Sequence, residues 1–389
     1  MATTLLVIVL GSVAIILSTW IIYPGLMWGT AHFRRDRQRV AAHDPTVAVI
    51  IATRDEPARV VTRVLNILDT AGPITRLSVI VAVDVTSRYG LAAYAAVLGP
   101  RARVVGGDQP GGKAATLNAG VREARDAELL VFADVGQTFD SNAIERMVDF
   151  LRDDRFGGVS GRYAHRSGEA LMTGFALLEA GIRDGQSALH SVVSTSGSIY
   201  AMRRALWRPL PAGLICDDLF TTTAIIRQGY RVGFCREAVA LDQRVFTQEQ
   251  QFTRRVRTLT GLIQFTVLEP AVLVPWRNPI WIHFLMHKVL RLLTPLFLLL
   301  GSTAALALVA LSSPAVFVSV LAVGGALIAG EHFARSGRSS KLRRLLAWGF
   351  RLQFVPVMAL TNGLRRQWAV WAPEDSAAPA FVTTLESRA

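Results

Sequence analysis

The chain has 389 residues, 51% of them hydrophobic, and a formal net charge of +13. Its length and apolar content exclude an intrinsically disordered chain and allow one large domain with additional segments. Two cysteines, Cys216 and Cys235, are too few and too widely spaced for a disulfide framework or a zinc site, so both are predicted to be buried and reduced. The basic residues flank apolar runs and form no stripe with interleaved aromatic residues, which indicates membrane lipids rather than nucleic acid as the partner.

The first predicted element is an uncharged apolar run, Leu5–Trp28, which is long enough to cross a bilayer core of roughly 30 Å. A cleaved signal peptide is the alternative, but the run lacks a basic segment before it and a small-residue cleavage site after it. The basic cluster His32–Arg39 follows. By the positive-inside rule, the sequence predicts a transmembrane anchor over residues 1–30, with the N-terminus outside and the following chain in the cytoplasm.

Residues 45–270 are predicted to form a soluble domain in which strands and helices alternate. A helix is predicted over 56–69, with Val60, Val64, Ile67 and Leu68 on one face. Short β-branched apolar runs are typical of strands that are buried on both faces of a sheet. Four such runs are 46–54, 77–84, 102–107 and 127–134. The alternation predicts an α/β domain with a doubly wound sheet, in which ligands bind beyond the carboxyl ends of the strands.

Three aspartates follow predicted strands. They are Asp55, Asp84 and Asp134. A single aspartate in this place is commonly a turn or N-cap residue. Three of them at the ends of one sheet could converge on one rim, where they would repel each other unless a cation or ligand donors lay among them.

A glycine turn with a single lysine lies between the third and fourth predicted strands. Lys113 is the only lysine before Lys288, and Gly107–Lys113 fits the spacing of a phosphate-binding P-loop. Ala114 lacks the hydroxyl that would ligate magnesium, so a P-loop nucleoside triphosphatase is the weaker hypothesis. The alternatives are a plain loop with a solvated lysine, and an anion site where the amine adds charge to a helix N-terminus.

Three downstream segments complete an ordered set of motifs. They are SGSIYAMRR (196–204), CDDLFTTTAIIRQGYRVGF (216–234) and QFTRRVRTLTG (251–261). With VAVDVTS, GGKAATLN and VFAD upstream, they resemble the inverting family 2 glycosyltransferases with a GT-A fold. The resemblance is closest to the membrane-embedded branch that contains cellulose, hyaluronan and poly-N-acetylglucosamine synthases. It extends from residue 45 to about 300, through HKVLRLLTP (287–295).

The resemblance implies a nucleotide-sugar site made of residues from several motifs. Asp84 would accept hydrogen bonds from the nucleobase, and Lys113 would contact the nucleotide. Asp134 would be the first acid of the D-x-D motif, near the diphosphate and a divalent cation, Mg²⁺ or Mn²⁺. Asp55 and Gly197 are assigned to the same nucleotide-sugar site.

The resemblance also implies catalytic roles in two of the downstream segments. Asp218 matches the general base of the family, with Asp217 in support, and Arg257 matches the arginine of its Q-x-x-R-W motif. Inverting transfer needs a base that reaches the acceptor hydroxyl and positive charge where the nucleoside diphosphate leaves. Because the two acids open a helix, one of them is expected to be its N-cap. Arg254 and Arg255 could also bind phosphate oxygens, or could contact lipid headgroups instead.

The sequence departs from the family pattern at two places. The D-x-D position reads Asp134-Val135-Gly136, so the second acid is missing, and Asp140 could replace it only if the loop folds back. The metal is therefore less firmly implied than the nucleotide. The Q-x-x-R-W position reads RRVRT, without the tryptophan that stacks on the acceptor sugar in processive members, which weakens the case for a long-chain polymerase.

The end of the chain returns to apolar segments. Leu292–Leu311 and Pro314–Gly330 predict a transmembrane hairpin. Leu345–Leu364 is a weaker candidate because Arg351 lies inside it, and it could span, re-enter or lie in the interface. The predicted parts of the chain are the anchor at 1–30, the GT-A domain at 45–270, an interfacial helix region at 271–291, transmembrane helices at 292–364 and a loose tail at 365–389.

The sequence therefore predicts a multi-pass, membrane-bound inverting glycosyltransferase of the plasma (inner) membrane. It would move a sugar from a nucleotide sugar, by resemblance a UDP-sugar, to a lipid-linked or growing polysaccharide acceptor at the cytoplasmic face. A few spans make only a small translocation channel, so partner subunits or a homo-oligomer are possible partners. Two alternatives stay open: a transferase that adds one sugar to a lipid carrier, and a catalytically inactive sugar-nucleotide-binding scaffold of a polysaccharide synthase.

Overall fold

A computed structural model describes residues 1–33, 44–165, 170–244, 246–319, 322 and 341–368 of the chain. The centre of this described part is an eight-stranded sheet with the order β3-β2-β1-β4-β7-β6-β8-β5. The strands are β1 Val47–Thr53, β2 Leu77–Val83, β3 Arg103–Gly106, β4 Leu129–Ala133, β5 Gln137–Phe139, β6 Phe156–His165, β7 Ile199–Arg203 and β8 Arg231–Asp242. The first four strands lie inside the four runs that the sequence predicts.

The sheet has a parallel half and a mixed half. β3, β2, β1 and β4 are parallel, so their carboxyl ends meet at one edge. β7 is antiparallel to both β4 and β6, β8 is parallel to β6, and β5 pairs antiparallel with β8. The reversal of β7 places Ile199, at the start of that strand, opposite Ala133 at the end of β4. The segment before β7 therefore reaches the same edge as the ends of the parallel strands.

Helices cover both faces of the sheet and extend beyond it at both ends of the chain. Before the sheet lie α1 Ala2–Leu17, a π-helical turn Ser18–Ile22 and α2 Tyr23–Phe33. The helices of the sheet domain are α3 Pro57–Thr70, α4 Leu91–Leu98, α5 Lys113–Glu123, α6 Ala143–Phe150, α7 Ala170–Leu189, α8 Asp217–Arg227 and α9 Gln248–Leu268. After them come α10 Trp281–Phe284, a π-helical turn Leu285–Val289, α11 Leu290–Leu292, α12 Thr294–Ser312, α13 Lys341–Leu352 and α14 Phe354–Leu364.

Alternate residues of the central strands divide the core into two layers. In β1, Val49 and Ile51 point to a layer that includes residues of α3, α4 and α6. Ile50 points to the other layer, which includes residues of α5, α8 and α9. Helix α5 lies very close to the sheet, because a Cβ atom on Gly120 would come within 2.8 Å of Ile50 Cγ2. This contact fixes the helix that begins at Lys113. Both cysteines are free and buried, as predicted.

The buried face of α3 differs from the predicted one. Leu68 is exposed, whereas Arg63 is buried among the apolar side chains. The guanidinium of Arg63 lies 3.9 Å from the centre of the Phe139 ring, and its Nε donates to the Asp134 carbonyl at 3.0 Å. Asn66 donates to the Phe139 carbonyl and accepts from the Phe139 amide. A hydrophobicity pattern assigns arginine to the outside, so it could not reveal that α3 fixes the segment after β4.

Two helical segments in the described part of the chain are long and apolar enough to cross a membrane. They are Ala2–His32 and Thr294–Ser312, and few of the residues in their most apolar stretches are buried. They pack against each other, because a Cβ atom on Gly301 would lie 3.0 Å from Ser12 Cβ. The predicted span Pro314–Gly330 lies mostly outside the described residues. The candidate Leu345–Leu364 is divided at Gln353 into α13 and α14, and α14 packs on α9 through Gly363 and Ile263.

The N-terminal helical segment is attached to the sheet domain through α7. A Cβ atom on Gly185 would lie 2.1 Å from the Met27 carbonyl oxygen, and one on Gly181 would lie 2.6 Å from the Trp28 ring. Gly181 and Gly185 have the small-xxx-small spacing that lets helix backbones approach closely. The sequence analysis missed this spacing, because it lies inside a helix that belongs to the soluble domain.

A buried polar network continues the same attachment. Gln186 Nε2 donates to Tyr23 Oη at 2.8 Å and lies 2.9 Å from His287 Nδ1. Tyr23 Oη lies 3.1 Å from His283 Nδ1, and His287 Nε2 lies 3.0 Å from Glu179 Oε2. Because the amide donates to His287 Nδ1, the Nε2 atom of that ring carries the proton and donates to Glu179. The network joins α2 and α7 to α10 and to the π-helical turn Leu285–Val289.

Candidate active site

A cleft of about 190 Å³ opens where the parallel strands end, and we name it the rim cleft. The ends of β1, β2 and β4 form its floor, α5 closes one side, and the segment from β8 to α9 supplies arginines. Its lining consists of Ala52, Thr53, Arg54, Asp55, Asp84, Lys113, Thr116, Asp134, Val135, Gly136, Gln137, Arg244, Arg254 and Arg257. The fold thus brings the three predicted strand-end acids together with Lys113 and Arg257.

Asp84 holds the glycine turn in place. Its Oδ2 accepts from the Gly112 amide at 2.8 Å, and its Oδ1 accepts from the Thr86 amide and hydroxyl, both at 2.8 Å. Gly111 and Gly112 have φ angles of 93° and 89°, which side chains rarely adopt. This turn ends where α5 begins, so it directs Lys113 into the cleft. The predicted contact of Asp84 with a nucleobase stays a prediction.

Lys113 is the cation between two carboxylates, the buried Asp217 and the partly exposed Asp134. Its Nζ lies 3.1 Å from Asp134 Oδ1 and 3.4 Å from Asp217 Oδ2. Burial lowers the pKa of Lys113, but Asp134 and Asp217 outweigh burial and raise the pKa above the ordinary value of a lysine. The amine therefore stays protonated. The positive charge of Lys113 therefore offsets, at Asp134, the repulsion expected among the acids at this rim.

Asp217 is the more buried of the two neighbouring acids. Burial, together with the nearby Asp218, raises the pKa of its carboxyl to about 6, while Lys113 opposes the shift. Among the described residues, no hydrogen-bond donor satisfies Asp217 Oδ2, which is the atom that faces Lys113. The arrangement makes Asp217 a support for Lys113.

Asp218 lies beside Asp217 but is only half-buried. A Cβ atom on Gly197 would lie 3.9 Å from Asp218 Cβ and 3.7 Å from Lys113 Nζ, so the bare glycine borders the gap between these two side chains. Asp217, Asp218 and Gly197 lie behind Lys113 rather than in the lining of the rim cleft. Gly197 reaches this place because β7 starts at this edge of the sheet.

The expectation that one of these acids caps α8 is wrong. Cys216 is the N-cap, and it makes no side-chain capping hydrogen bond. Asp217 and Asp218 both lie in the first helical turn, where the partial positive charge of the helix N-terminus favours carboxylates. Both side chains are therefore available for interactions beyond the helix end.

Arginines from the region after β8 line the outer side of the rim cleft. Arg244 is anchored by Asp242, whose carboxylate accepts from the Arg244 Nε at 3.0 Å and from its Nη2 at 2.8 Å. The guanidinium of Arg254 lies 4.0 Å from the centre of the Phe246 ring. Arg254 and Arg257 line the cleft, whereas Arg255 does not. The sequence analysis gave Arg254 and Arg255 the same two possible ligands, and only Arg254 lies where it could reach a phosphate in the cleft. Sequence reasoning missed Arg244, which follows β8 without a recognisable motif.

The donor groups at the D-x-D position do not fit a divalent cation. The Asp134 carboxylate is paired with Lys113, and Gly136 supplies no side chain. Asp140 lies outside the lining of the rim cleft, and its Oδ1 accepts from the Ser141 amide. Within the described residues, no group of three histidine, cysteine, aspartate or glutamate side chains could hold a metal ion. The assignment of Asp134 as a metal ligand stays a prediction.

Comparison with known proteins identifies a family and two curated relatives that this chain resembles. The glycosyltransferase like family 2 matches residues 45–261. Two curated relatives are the O-antigen chain rhamnosyltransferase RfbN of Salmonella typhimurium strain LT2, 26% identical over 152 residues, and the O-antigen chain rhamnosyltransferase WbaN of Salmonella anatum, 24% identical over 152 residues. Each match covers 36% of this chain and 48% of the relative, so the chain spans about half the length of these relatives.

A solved structure resembles nearly the whole chain. It is the mannosyltransferase PcManGT from Pyrobaculum calidifontis in complex with GDP-Man and Mn²⁺, with a TM-score of 0.67 and 21% sequence identity. The match covers 92% of this chain and 98% of that chain, and it confirms the predicted GT-A fold. Since the family match spans more than half of the chain, the chain belongs to glycosyltransferase like family 2.

Proposed function

We propose that this glycosyltransferase is a multi-pass membrane enzyme that inverts the donor sugar as it transfers it to a lipid-linked or growing glycan at the cytoplasmic face. One observation carries the catalytic part of the proposal: Lys113 joins Asp134 to Asp217, directly beside Asp218. The curated relatives named as O-antigen chain rhamnosyltransferases support a glycan product. The nucleotide sugar would lie in the rim cleft, with its sugar near Gly197.

The reaction assigns a separate step to each charged group. The Asp218 carboxylate accepts the proton of the acceptor hydroxyl while the hydroxyl oxygen forms a bond to the anomeric carbon. The bond from that carbon to the diphosphate oxygen breaks, and the nucleoside diphosphate leaves with the electron pair. Lys113 and Arg257 stabilise the negative charge that develops on the leaving diphosphate. Asp217 keeps Lys113 in position throughout.

Exposed apolar surface supports the membrane part of the proposal. The segments Ala2–His32 and Thr294–Ser312 are almost entirely unburied, which distinguishes them from the core helices of a soluble protein. Trp276, in the region between α9 and α10, is 83% exposed, and Ile282 in α10 is 58% exposed. Such residues suit the interface between lipid and water. The attachment of α2 to α7 would then hold the rim cleft at a fixed distance from the bilayer.

The number of sugars added per binding event is a separate part of the proposal. The motif RRVRT lacks the tryptophan of processive relatives, which favours addition of a single sugar or of a short chain. A partner subunit or a second copy of the chain would be needed to build a wide translocation channel. A catalytically inactive scaffold is the competing proposal, because the second acid of D-x-D is absent.

A transfer assay tests the proposal. Membranes that contain the wild-type chain or Asp218→Asn would be incubated with radiolabelled UDP-sugars, GDP-mannose and nucleoside-diphosphate rhamnose, and the products would be sized. We expect one donor to label a lipid-extractable or polymeric product with the wild type only. A product ladder would indicate processive addition, and a single band would indicate one sugar per acceptor. Equal labelling by both proteins would contradict the proposed base, and no labelling with any donor would favour the scaffold.

A further inference from the structure

We propose that this transferase holds the diphosphate of its donor with arginine side chains and binds that donor without a divalent cation. The inference rests on the proposed function, because it presupposes a nucleoside diphosphate in the rim cleft. It begins at Gly136, the position of the second acid in the D-x-D motif, and at the side chain that covers this glycine.

Arg244 occupies the space into which a side chain at position 136 would project. A Cβ atom on Gly136 would lie 2.5 Å from Arg244 Cζ and 2.6 Å from its Nη1, so an aspartate there would collide with the guanidinium. Arg244 is not a loose surface group, since its side chain is only 15% exposed. A carboxylate at position 136 and the observed position of Arg244 exclude each other.

Asp242 fixes the position of Arg244. Besides its two hydrogen bonds to the guanidinium, the Asp242 carboxylate accepts from the Arg244 amide at 3.0 Å, from Gln137 Nε2 at 3.0 Å and from the Tyr163 hydroxyl at 2.8 Å. Burial raises the pKa of Asp242, but hydrogen bonds from Arg244 and Gln137 lower it to about 2. Asp242 therefore stays ionised, and it binds the Nε–Nη2 edge of a guanidinium that borders the rim cleft.

The charge of the site favours a phosphate over a metal. Compared with a D-x-D site, the chain lacks one carboxylate, and a guanidinium whose own charge is balanced by Asp242 covers the position of the missing acid. The described lining of the rim cleft has five basic side chains and three carboxylates. Guanidinium groups match phosphate oxygens geometrically, and Arg254 and Arg257 lie in the same lining. Lys113 already forms an ion pair with Asp134, the remaining acid of the motif.

Binding measurements on the wild-type protein test the inference without any mutation. The purified full-length protein would be titrated calorimetrically with UDP, GDP and dTDP, first in excess EDTA and then with Mn²⁺. We expect the tightest nucleotide to have Kd values that agree within about threefold in the two conditions. A nucleotide that binds only with Mn²⁺ would overturn the inference and leave the proposed function intact. A protein that binds no nucleotide in either condition would overturn the proposed function, and the inference with it.

Two arginine variants test the role of Arg244. Arg244→Gln removes the charge, and we expect it to weaken nucleotide binding about 10- to 100-fold in EDTA, as the loss of a charge-assisted hydrogen bond would. Arg101→Gln is the matched control, because Arg101 is exposed and precedes β3, at the opposite end of the sheet from the rim cleft. Equal affinities in the two variants would overturn the inference.

An exchange of residues tests the same idea from the opposite direction. The double variant Gly136→Asp with Arg244→Ala restores the second acid and removes the guanidinium. We expect its nucleotide binding to become dependent on Mn²⁺, and we expect protein and nucleotide together to broaden the electron paramagnetic resonance signal of free Mn²⁺. The wild type should leave that signal unchanged. Wild-type protein that broadens the signal as strongly as the double variant would contradict the proposal.

Discussion

Asp217 and Asp218 are adjacent in the chain but have different surroundings. Asp217 is buried against Lys113, whereas Asp218 is half-buried beside Gly197. A general base needs access to the acceptor, and a support for a buried cation does not. The two residue types are identical, so only their positions in the first turn of α8 separate the two proposed roles.

The first prediction separates the two acids. We expect Asp218→Asn to reduce kcat about 100- to 10,000-fold, since the amide cannot accept the hydroxyl proton, while the Kd of the donor changes less than about threefold. Asp217→Asn should retain measurable turnover because Lys113 still faces Asp134. Asp140→Asn, an exposed position outside the rim cleft, serves as the control. Steady-state kinetics and calorimetry measure both constants. A larger loss of kcat in Asp217→Asn than in Asp218→Asn would move the base to Asp217.

At the level of elements, β1 to β4 could be predicted because each lies in a short apolar run, whereas β5 to β8 were not predicted. In β8, for example, Arg236 and Glu237 interrupt the apolar pattern. The sequence could not predict contacts between distant elements. Arg63 looks like a surface residue of α3, yet it is buried under the segment after β4. The contact of Arg244 with Gly136 joins two loops of the sheet, and the reversal of β7 brings Gly197 to the site. These features depend on tertiary packing, for which a local hydrophobic pattern has no signal.

The second prediction concerns the contact between α2 and α7. Gly185→Leu should force the helices apart, since even a Cβ atom would lie 2.1 Å from the Met27 carbonyl oxygen. We expect the free energy of unfolding to fall by about 1–3 kcal/mol, and we expect faster proteolysis of the N-terminal segment in detergent. Gly174→Leu is the matched control, because Gly174 lies exposed in the same helix and a Cβ atom there meets nothing within 4 Å. If Gly185→Leu and Gly174→Leu had equal melting temperatures and equal cleavage rates, the contact between α2 and α7 would not be what holds the N-terminal segment.

The third prediction is a pH dependence of the polar network beside that contact. Burial lowers the pKa of His283 and of His287 from 6.5 to about 4, although Glu179 opposes this shift at His287. The folded state therefore binds fewer protons than the unfolded state between these values. The stabilisation is complete above about pH 6.5 and is lost as the pH falls toward 4, by about 2–3 kcal/mol for each histidine. Glu179 also has a lowered pKa, because His287 and Arg291 stabilise its charged form, so its protonation adds a further loss of stability as the pH falls below about 4.5.

Thermal unfolding in detergent between about pH 7 and pH 4.5 measures this dependence. Asp217 contributes with the opposite sign, because its raised pKa makes the folded state bind more protons than the unfolded state. A comparison of the wild type with a His283→Gln/His287→Gln double variant removes the contribution of Asp217. The double variant should lose less stability on acidification than the wild type. Parallel curves would show that the two histidines are protonated in the folded protein.

For the whole molecule, the fourth prediction concerns its orientation in the membrane. The two native cysteines are buried and should not react with a membrane-impermeant maleimide in the folded protein. Thr3→Cys should be labelled on intact cells, and Asp126→Cys only after the cytoplasmic face is made accessible. Both positions are exposed, one at the start of α1 and one in the sheet domain. Labelling of both from the same side would contradict an N-terminus outside with a cytoplasmic rim cleft.

The scarcity of lysine makes this residue type a local spectroscopic probe of the site. Lys113, Lys288 and Lys341 are the only lysines of the chain, so growth on ¹³C-labelled lysine would give one labelled side chain for each. Burial lowers the pKa of Lys288, whereas the carboxylates around Lys113 raise its pKa, so the side-chain resonances of the two lysines should respond differently to pH. The Lys113 resonance would report occupancy of the rim cleft without any change to the sequence.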